Sequence, residues 1–258
     1  MEISLAGRSA IVTGGSKGLG LAIATRFAAS GADVVIVARG QEALTEAQAT
    51  IGAAAKGKVI AVQGDVGTVE GVQRVYDEAM SALGKVDIIV NNAGTSRAGP
   101  FDALTDETLQ ADLDLKLFAA VRLTRLVWPQ MKERRWGRVI NVLNIGAKAP
   151  RAGSAPTTIS RAAGMALTKV LAGEGAPFNI LVNALLVGFI EADQHVQAAK
   201  RAGISTEEYI GRRAKDIPIG RVGKAEEFAN AACFLASDAA SYIAGTAINI
   251  DGGSSPVV

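Results

Sequence analysis

Short runs rich in valine and isoleucine alternate along this chain with longer segments whose apolar residues return every three or four positions. The runs at 9–13, 33–38, 59–63, 86–91, 138–143, 179–186 and 246–250 are predicted strands. Most are apolar nearly throughout, which is how a strand covered on both faces reads. A helix predicted over 19–30 stops at Gly31 and another over 68–83 stops at Gly84, glycine being the common residue just past a helix end. Leu113, Leu117, Ala120, Val121 and Thr124 recur at helical spacing and predict one long helix over 106–134. Strands alternating with helices imply βαβ units, a parallel sheet and right-handed crossovers. No linker or change of composition divides the chain, so 1–258 reads as a single domain. Residues 188–217 break the rhythm. They form an insertion between the sixth and seventh strands, on the side of such a sheet where ligands bind.

Composition narrows the class. Of 258 residues, 49% are apolar, enough for a sizeable core. No apolar run approaches the roughly 20 residues of a membrane helix, and the longest, 180–190, carries Asn183. The start Met1-Glu2-Ile3-Ser4 shows no secretory pattern. A lone cysteine, Cys233, forms no internal disulfide and fits a reducing cytoplasm. With His195 as the single histidine, a thiolate or imidazole metal site is not expected. The net charge of +2 is spread along the chain, so nothing points to nucleic acid.

The chemistry begins after the first strand. Thr13-Gly14-Gly15-Ser16-Lys17-Gly18-Leu19-Gly20 leaves that strand and opens the first helix. Gly14 permits a tight turn, Gly18 lets the backbone approach a pyrophosphate, and Gly20 lets helix pack closely on strand. The free N–H groups of the helix start then face the phosphates. At the end of the second strand an acidic residue would bind a ribose 2′-hydroxyl. Here the chain has Ala38-Arg39. Arg39 and Lys17 offer two cations for a 2′-phosphate, which favours NADP(H) over NAD(H).

Four features stand in fixed order: the Gly14/Gly18/Gly20 loop, Gly64-Asp65-Val66, Asn91-Asn92-Ala93-Gly94, and a closing stretch. That stretch runs from Arg221-Val222-Gly223 through Phe234-Leu235-Ala236-Ser237 to Asp251-Gly252-Gly253. Together they resemble the short-chain dehydrogenase/reductase family, in the form typified by bacterial 3-oxoacyl-acyl-carrier-protein reductases. The resemblance covers essentially the whole chain. It implies a Rossmann-type doubly wound α/β fold with a parallel seven-stranded sheet in the order 3-2-1-4-5-6-7, an NAD(P)(H)-dependent oxidoreductase, and a homotetramer or dimer packed through the long helices. It also implies that Asp65 contacts the adenine amino group, that Val66 meets the ring, and that Asn91 and Gly94 line the ribose side. Ser16, Leu19, Ala93, Gly188 and Ile190 join them as cofactor contacts.

At the catalytic end the pattern departs. Members of that family carry an Asn-Ser-Tyr-Lys tetrad, and the matching positions here are Lys116, Asn144, Thr157 and Arg161. The Pro-Gly pair after the sixth strand reads Val187-Gly188, and the Thr expected to hold the nicotinamide carboxamide is Ala192. The family chemistry needs a phenol, whose pKa near ~10 a neighbouring lysine lowers. Thr157 alone is far too weak an acid. Arg161, four residues on, faces the same way and can still bind ribose hydroxyls, but it cannot release a proton. Asn144 can donate a hydrogen bond to a carbonyl.

Two readings of Lys116 follow: a replacement acid, or the ion-pair partner of Asp112 one helical turn earlier. Of Tyr76, Tyr209 and Tyr242, only Tyr209 lies in the insertion near the expected site. His195 is expected on the exposed lid, and Cys233 inside a helix packed on the core. Lys148 and Arg151 flank the expected entrance, and two readings stand equally: cations that attract an acidic substrate, or a solvated loop.

Overall fold

The structure, a computed structural model, describes residues 3–191 and 193–258, without the side chains of 193–197. Its centre is a parallel sheet of β1 (Ser9–Thr13), β2 (Asp33–Ala38), β3 (Val59–Gln63), β4 (Ile88–Asn91), β6 (Gly137–Asn144), β8 (Ile180–Val187) and β9 (Ala247–Ile250). The order is β3-β2-β1-β4-β6-β8-β9. Two-residue strands β5 (Ala98–Gly99) and β7 (Ala155–Pro156) pair separately and antiparallel. With these two set aside, the order is the expected 3-2-1-4-5-6-7. Each predicted strand is found within two residues of its expected ends.

Helices cover both faces. The sheet residues Ala10, Val12, Val34 and Ile36 pack with α1 (Gly18–Ala29), α2 (Gln41–Gly52) and α9 (Ala225–Ala236). Their neighbours Ile11, Val35 and Val37 face the other way, against α3 (Val69–Leu83), α5 (Ala119–Arg134) and α6 (Thr157–Gly175). This alternation explains the continuous apolar runs: successive side chains enter opposite layers, and both layers are dry. Thr68 caps α3 by accepting from the Gly71 N–H at 3.0 Å, and Gly84 ends it with φ +72°.

The long helix predicted over 106–134 is interrupted. It runs as α4 (Asp106–Leu113), a π-helical turn at Asp114–Phe118, and α5. Lys116 sits in that turn. The expected insertion supplies α7 (Asp193–Ala202) and α8 (Thr206–Ala214). It is tied back where Ile190 bridges to Gly223. Chain direction and order place the carboxyl ends of all the sheet strands along one edge. The crevice lies where the order reverses, between β1 and β4.

Candidate active site

At the reversal point the ends of β1 and β4 are clasped together. Thr13 Oγ1 accepts from the backbone N–H groups of Asn92 and Ala93, both at 3.0 Å, and donates to the Val90 carbonyl. Asn92 Nδ2 donates to the Thr13 and Gly14 carbonyls at 2.9 and 3.2 Å. Gly14 turns with φ +66°, and a Cβ on Gly20 would lie 2.1 Å from the Gly14 carbonyl oxygen. Only glycine lets α1 start this close to β1, which sets the N-terminal end of α1 beside the carboxyl end of β1.

Two clefts meet along Gly94 and Thr95. The first, about 430 Å³, is bounded by Gly14, Ser16, Lys17, Arg39, Asp65, Val66 and Ala93, with Val37, Ala38, Gly40, Gly64 and Leu115. Val66 is buried, while Asp65 is exposed and accepts from the Gly67 N–H at 2.9 Å. Lys17 and Arg39 are both exposed on the rim, and among the described residues no ion pair engages either side chain. The second cleft, about 300 Å³, is bounded by Leu19, Asn92, Gly94, Ser96, Asn144, Thr157, Arg161, Val187 and Gly188.

The expected residues divide in three. Gly14, Ser16, Lys17, Arg39, Asp65, Val66, Ala93 and Gly94 border the first cleft, and Leu19, Asn144, Thr157, Arg161 and Gly188 the second; Gly18 and Gly20 border neither. Asn91, expected on the ribose side, is turned into the sheet and donates to Asn141 Oδ1 at 2.9 Å. Its neighbour Asn92 takes the crevice position. Ile190 is buried near Phe189 and Ile217. Tyr209 packs its ring on Phe189, centroids 6.2 Å apart, and is not among the residues bordering the second cleft. Lys148 donates to the Ala247 carbonyl at 2.6 Å, and Cys233 is buried beside Ser30. The positions of Ala192 and the His195 side chain lie outside the described residues.

Lys116 lies behind the wall of the second cleft. Its side chain is 0% exposed and pairs with Asp112, Nζ to Oδ1 2.6 Å. The expected i,i+4 ion pair is therefore formed, across the end of α4 and into the π turn. The same Nζ donates to Thr157 Oγ1 at 3.1 Å. Asp112 Oδ2 accepts from Ser160 Oγ at 2.6 Å, and Thr157 Oγ1 also accepts from the Arg97 backbone N–H at 2.9 Å. Burial pulls the Lys116 ammonium below the ordinary lysine range. Asp112 opposes that shift, while Arg161 and Arg97 add to it. Sequence reasoning missed Ser160 and the Arg97 backbone, which no local pattern connects to position 116.

Arg161 is half-buried and donates to the Val142 carbonyl at 2.6 Å. Burial lowers its pKa to about 10, against the pull of Asp112, so it stays charged at neutral pH. Arg161 Nε and Asn144 Oδ1 are both buried without a hydrogen-bond partner among the described residues. A Cβ on Gly94 would lie 2.7 Å from Arg161 Nη2, so glycine keeps open the junction of the two clefts. A glycine loop opening a helix and two exposed cations fit a dinucleotide laid along this edge.

Comparison with known proteins agrees with this geometry. The family model described as enoyl-(acyl carrier protein) reductase matches residues 14–255. The 3-oxoacyl-(acyl-carrier-protein) reductase of Aquifex aeolicus is 32% identical over 253 residues, covering 98% of this chain and 99% of that protein. The enzyme of the same name from Escherichia coli is 34% identical over 249 residues, covering 96% and 97%. L-sorbose reductase from Gluconobacter frateurii, solved with NADPH and L-sorbose, superposes with a TM-score of 0.96 at 36% identity, covering 100% of both chains. The fold and cleft are those of a doubly wound oxidoreductase. The chain belongs to the short-chain dehydrogenase/reductase family.

Proposed function

We propose that the protein is an NADP(H)-dependent oxidoreductase that interconverts a carbonyl and an alcohol at a site without the family's tyrosine. The observation that carries this reading is the pair of exposed cations, Lys17 and Arg39, without an ion pair among the described residues, on a cleft that continues to Asn144, Thr157 and Arg161. In this reading the start of α1 holds the pyrophosphate. Arg39 and Lys17 hold the 2′-phosphate, and Asp65 and Val66 hold the adenine. Gly94 and Arg161 receive the nicotinamide ribose, and the backbone at Gly188 and Ile190 borders the nicotinamide. The bound cofactor would supply or accept a hydride. Asn144 orients the substrate oxygen. The NADPH bound by the sorbose reductase supports the choice of cofactor.

The same reading takes 1–258 as a single domain and 188–217 as its substrate loop, in a cytoplasmic protein whose partners are a small molecule and copies of itself. Among the described residues no helix is long and apolar enough to cross a membrane. Assembly as a homotetramer, or a dimer, through α4–α5 and α6 is supported by a groove between them lined by Val121, Trp128, Leu167 and Leu171. Gly164 serves a different contact: it faces the sheet, where a Cβ would come within 2.9 Å of Leu143.

A second reading, a cofactor-binding subunit that does no chemistry, is favoured by the buried Asp112–Lys116 pair. A turnover screen separates the two. NADPH and NADH are each offered with L-sorbose, acetoacetyl-CoA and 2,3-butanedione. NADPH consumption above the carbonyl-free rate supports the enzyme reading, and tight NADPH binding with no consumption supports the silent subunit.

A further inference from the structure

Lys116 cannot meet a substrate itself, because its side chain is wholly enclosed. What it can reach is Thr157 Oγ1, at 3.1 Å. Thr157 is the member of this cluster that borders the cleft. A hydroxyl has two lone pairs and one proton. Here both lone pairs are taken by groups that only donate, the Lys116 ammonium and the Arg97 backbone N–H. The hydroxyl hydrogen is thereby turned away from both, and no described residue accepts it. The cleft is the space left to it.

We propose that Lys116 and Thr157 form a proton relay, with Lys116 as the proton source and the Thr157 hydroxyl as the group that donates to the substrate oxygen. This rests on the oxidoreductase reading above. Thr157 on its own is too weak an acid, but in a relay it carries no full negative charge. As hydride reaches the carbonyl carbon, the C=O π pair moves to oxygen. That oxygen forms its O–H bond with the Thr157 proton. Thr157 Oγ1 takes a proton from Lys116 in the same motion, and the N–H pair stays on Nζ as a neutral amine. The products are an alcohol and an uncharged Lys116. Once the alcohol leaves, a proton from cleft water returns through Thr157. Alcohol oxidation runs the same path backwards.

The surroundings suit this role. Asp112 from α4, itself held by Ser160, keeps Lys116 charged at rest. Arg161 from α6 and Arg97 from the loop between β4 and β5, together with burial, ease the proton's release. The π turn that carries Lys116 is a local distortion of a kind often found at functional sites.

The test uses the full-length protein with NADPH and the three carbonyls named above. Thr157→Val is expected to cut kcat about 100-fold or more while NADPH affinity, read by calorimetry, holds within about twofold. Thr157→Ser keeps the hydroxyl and should restore turnover to within about tenfold of wild type. A readout independent of turnover is the NMR titration of lysine labelled at Cε in the cofactor-free protein. Lys116 should titrate below the other lysines, and its midpoint should fall further in Thr157→Val, which removes an acceptor of the ammonium. Undiminished turnover in Thr157→Val, or Thr157→Ser as slow as Thr157→Val, would overturn the relay. So would wild-type protein that binds NADPH and reduces none of the carbonyls. Failure to bind NADPH at all would instead overturn the cofactor reading.

Discussion

The two ends of the cleft are built by different means. At the end proposed to hold the adenosine, the groups on offer are the N–H groups at the start of α1 and two exposed cations, and among the described residues no ion pair engages either cation. At the other end, the charged groups are enclosed and already engaged: Lys116 with Asp112 and Thr157, Asp112 with Ser160, Arg161 with a carbonyl. The first end waits for a ligand's charge. The second holds its charged groups in hydrogen bonds of their own, and among the described residues Thr157 links Lys116 to the open space. Binding and proton chemistry are therefore separable here, and substitutions should affect one without the other.

The largest effect is expected from breaking the enclosed balance. Asp112→Leu leaves a buried ammonium without its counter-charge and should cost about 3–5 kcal/mol in urea unfolding. The double variant Asp112→Leu/Lys116→Met removes both charges and should recover most of that loss, since a well-packed apolar pair replaces a buried ion pair at little cost. A double variant as unstable as the single one would mean the pair is not the unit it appears in the geometry.

At the other end, Gly20→Ala forces a Cβ to within 2.1 Å of the Gly14 carbonyl. The loop must move, and NADPH affinity should drop about 100-fold or more, ~2.8 kcal/mol. Gly52→Ala, where nothing lies within 4 Å of the added atom, is the control and should leave affinity unchanged. Calorimetric titration of both variants reads the difference.

A smaller effect sharpens the contrast through pH. The folded-state pKa of Lys116 is depressed, chiefly by burial, below the unfolded value near ~10.4. Between these values the unfolded chain binds the extra proton, so stability rises with pH. The contribution is fully present above the unfolded value and is lost as pH falls through the folded one. Reduction should do the opposite and slow as the ammonium is lost over the same window. Unfolding curves and rates measured across that window should diverge in wild type. The stability rise should vanish in Asp112→Leu/Lys116→Met.

What could be read from the sequence follows the same division. The strands and the glycine loop were written in local patterns: apolar runs, glycine positions and the residues beside them; the strand order followed from the family resemblance. The Asp112–Lys116 pair was also local, one helical turn apart. The rest depends on the packed fold. The π turn at Asp114–Phe118 keeps helical residue types and changes only the hydrogen-bond register. Ser160 meets Asp112 across 48 positions of chain. Asn91 and Asn92 are the same residue type side by side, and only the strand's end decides which faces the crevice.

The central claim is that an intact NADP(H) grip stands beside rewired proton chemistry, and the grip is tested by titration. NADPH and NADH are titrated calorimetrically into wild type and Arg39→Ala. A charge-assisted phosphate contact contributes roughly 1.5–3 kcal/mol, so wild type should bind NADPH about tenfold or more tightly than NADH. Arg39→Ala should lose most of that preference while its NADH affinity stays the same. Equal affinities in wild type, or a preference that survives Arg39→Ala, would contradict the account.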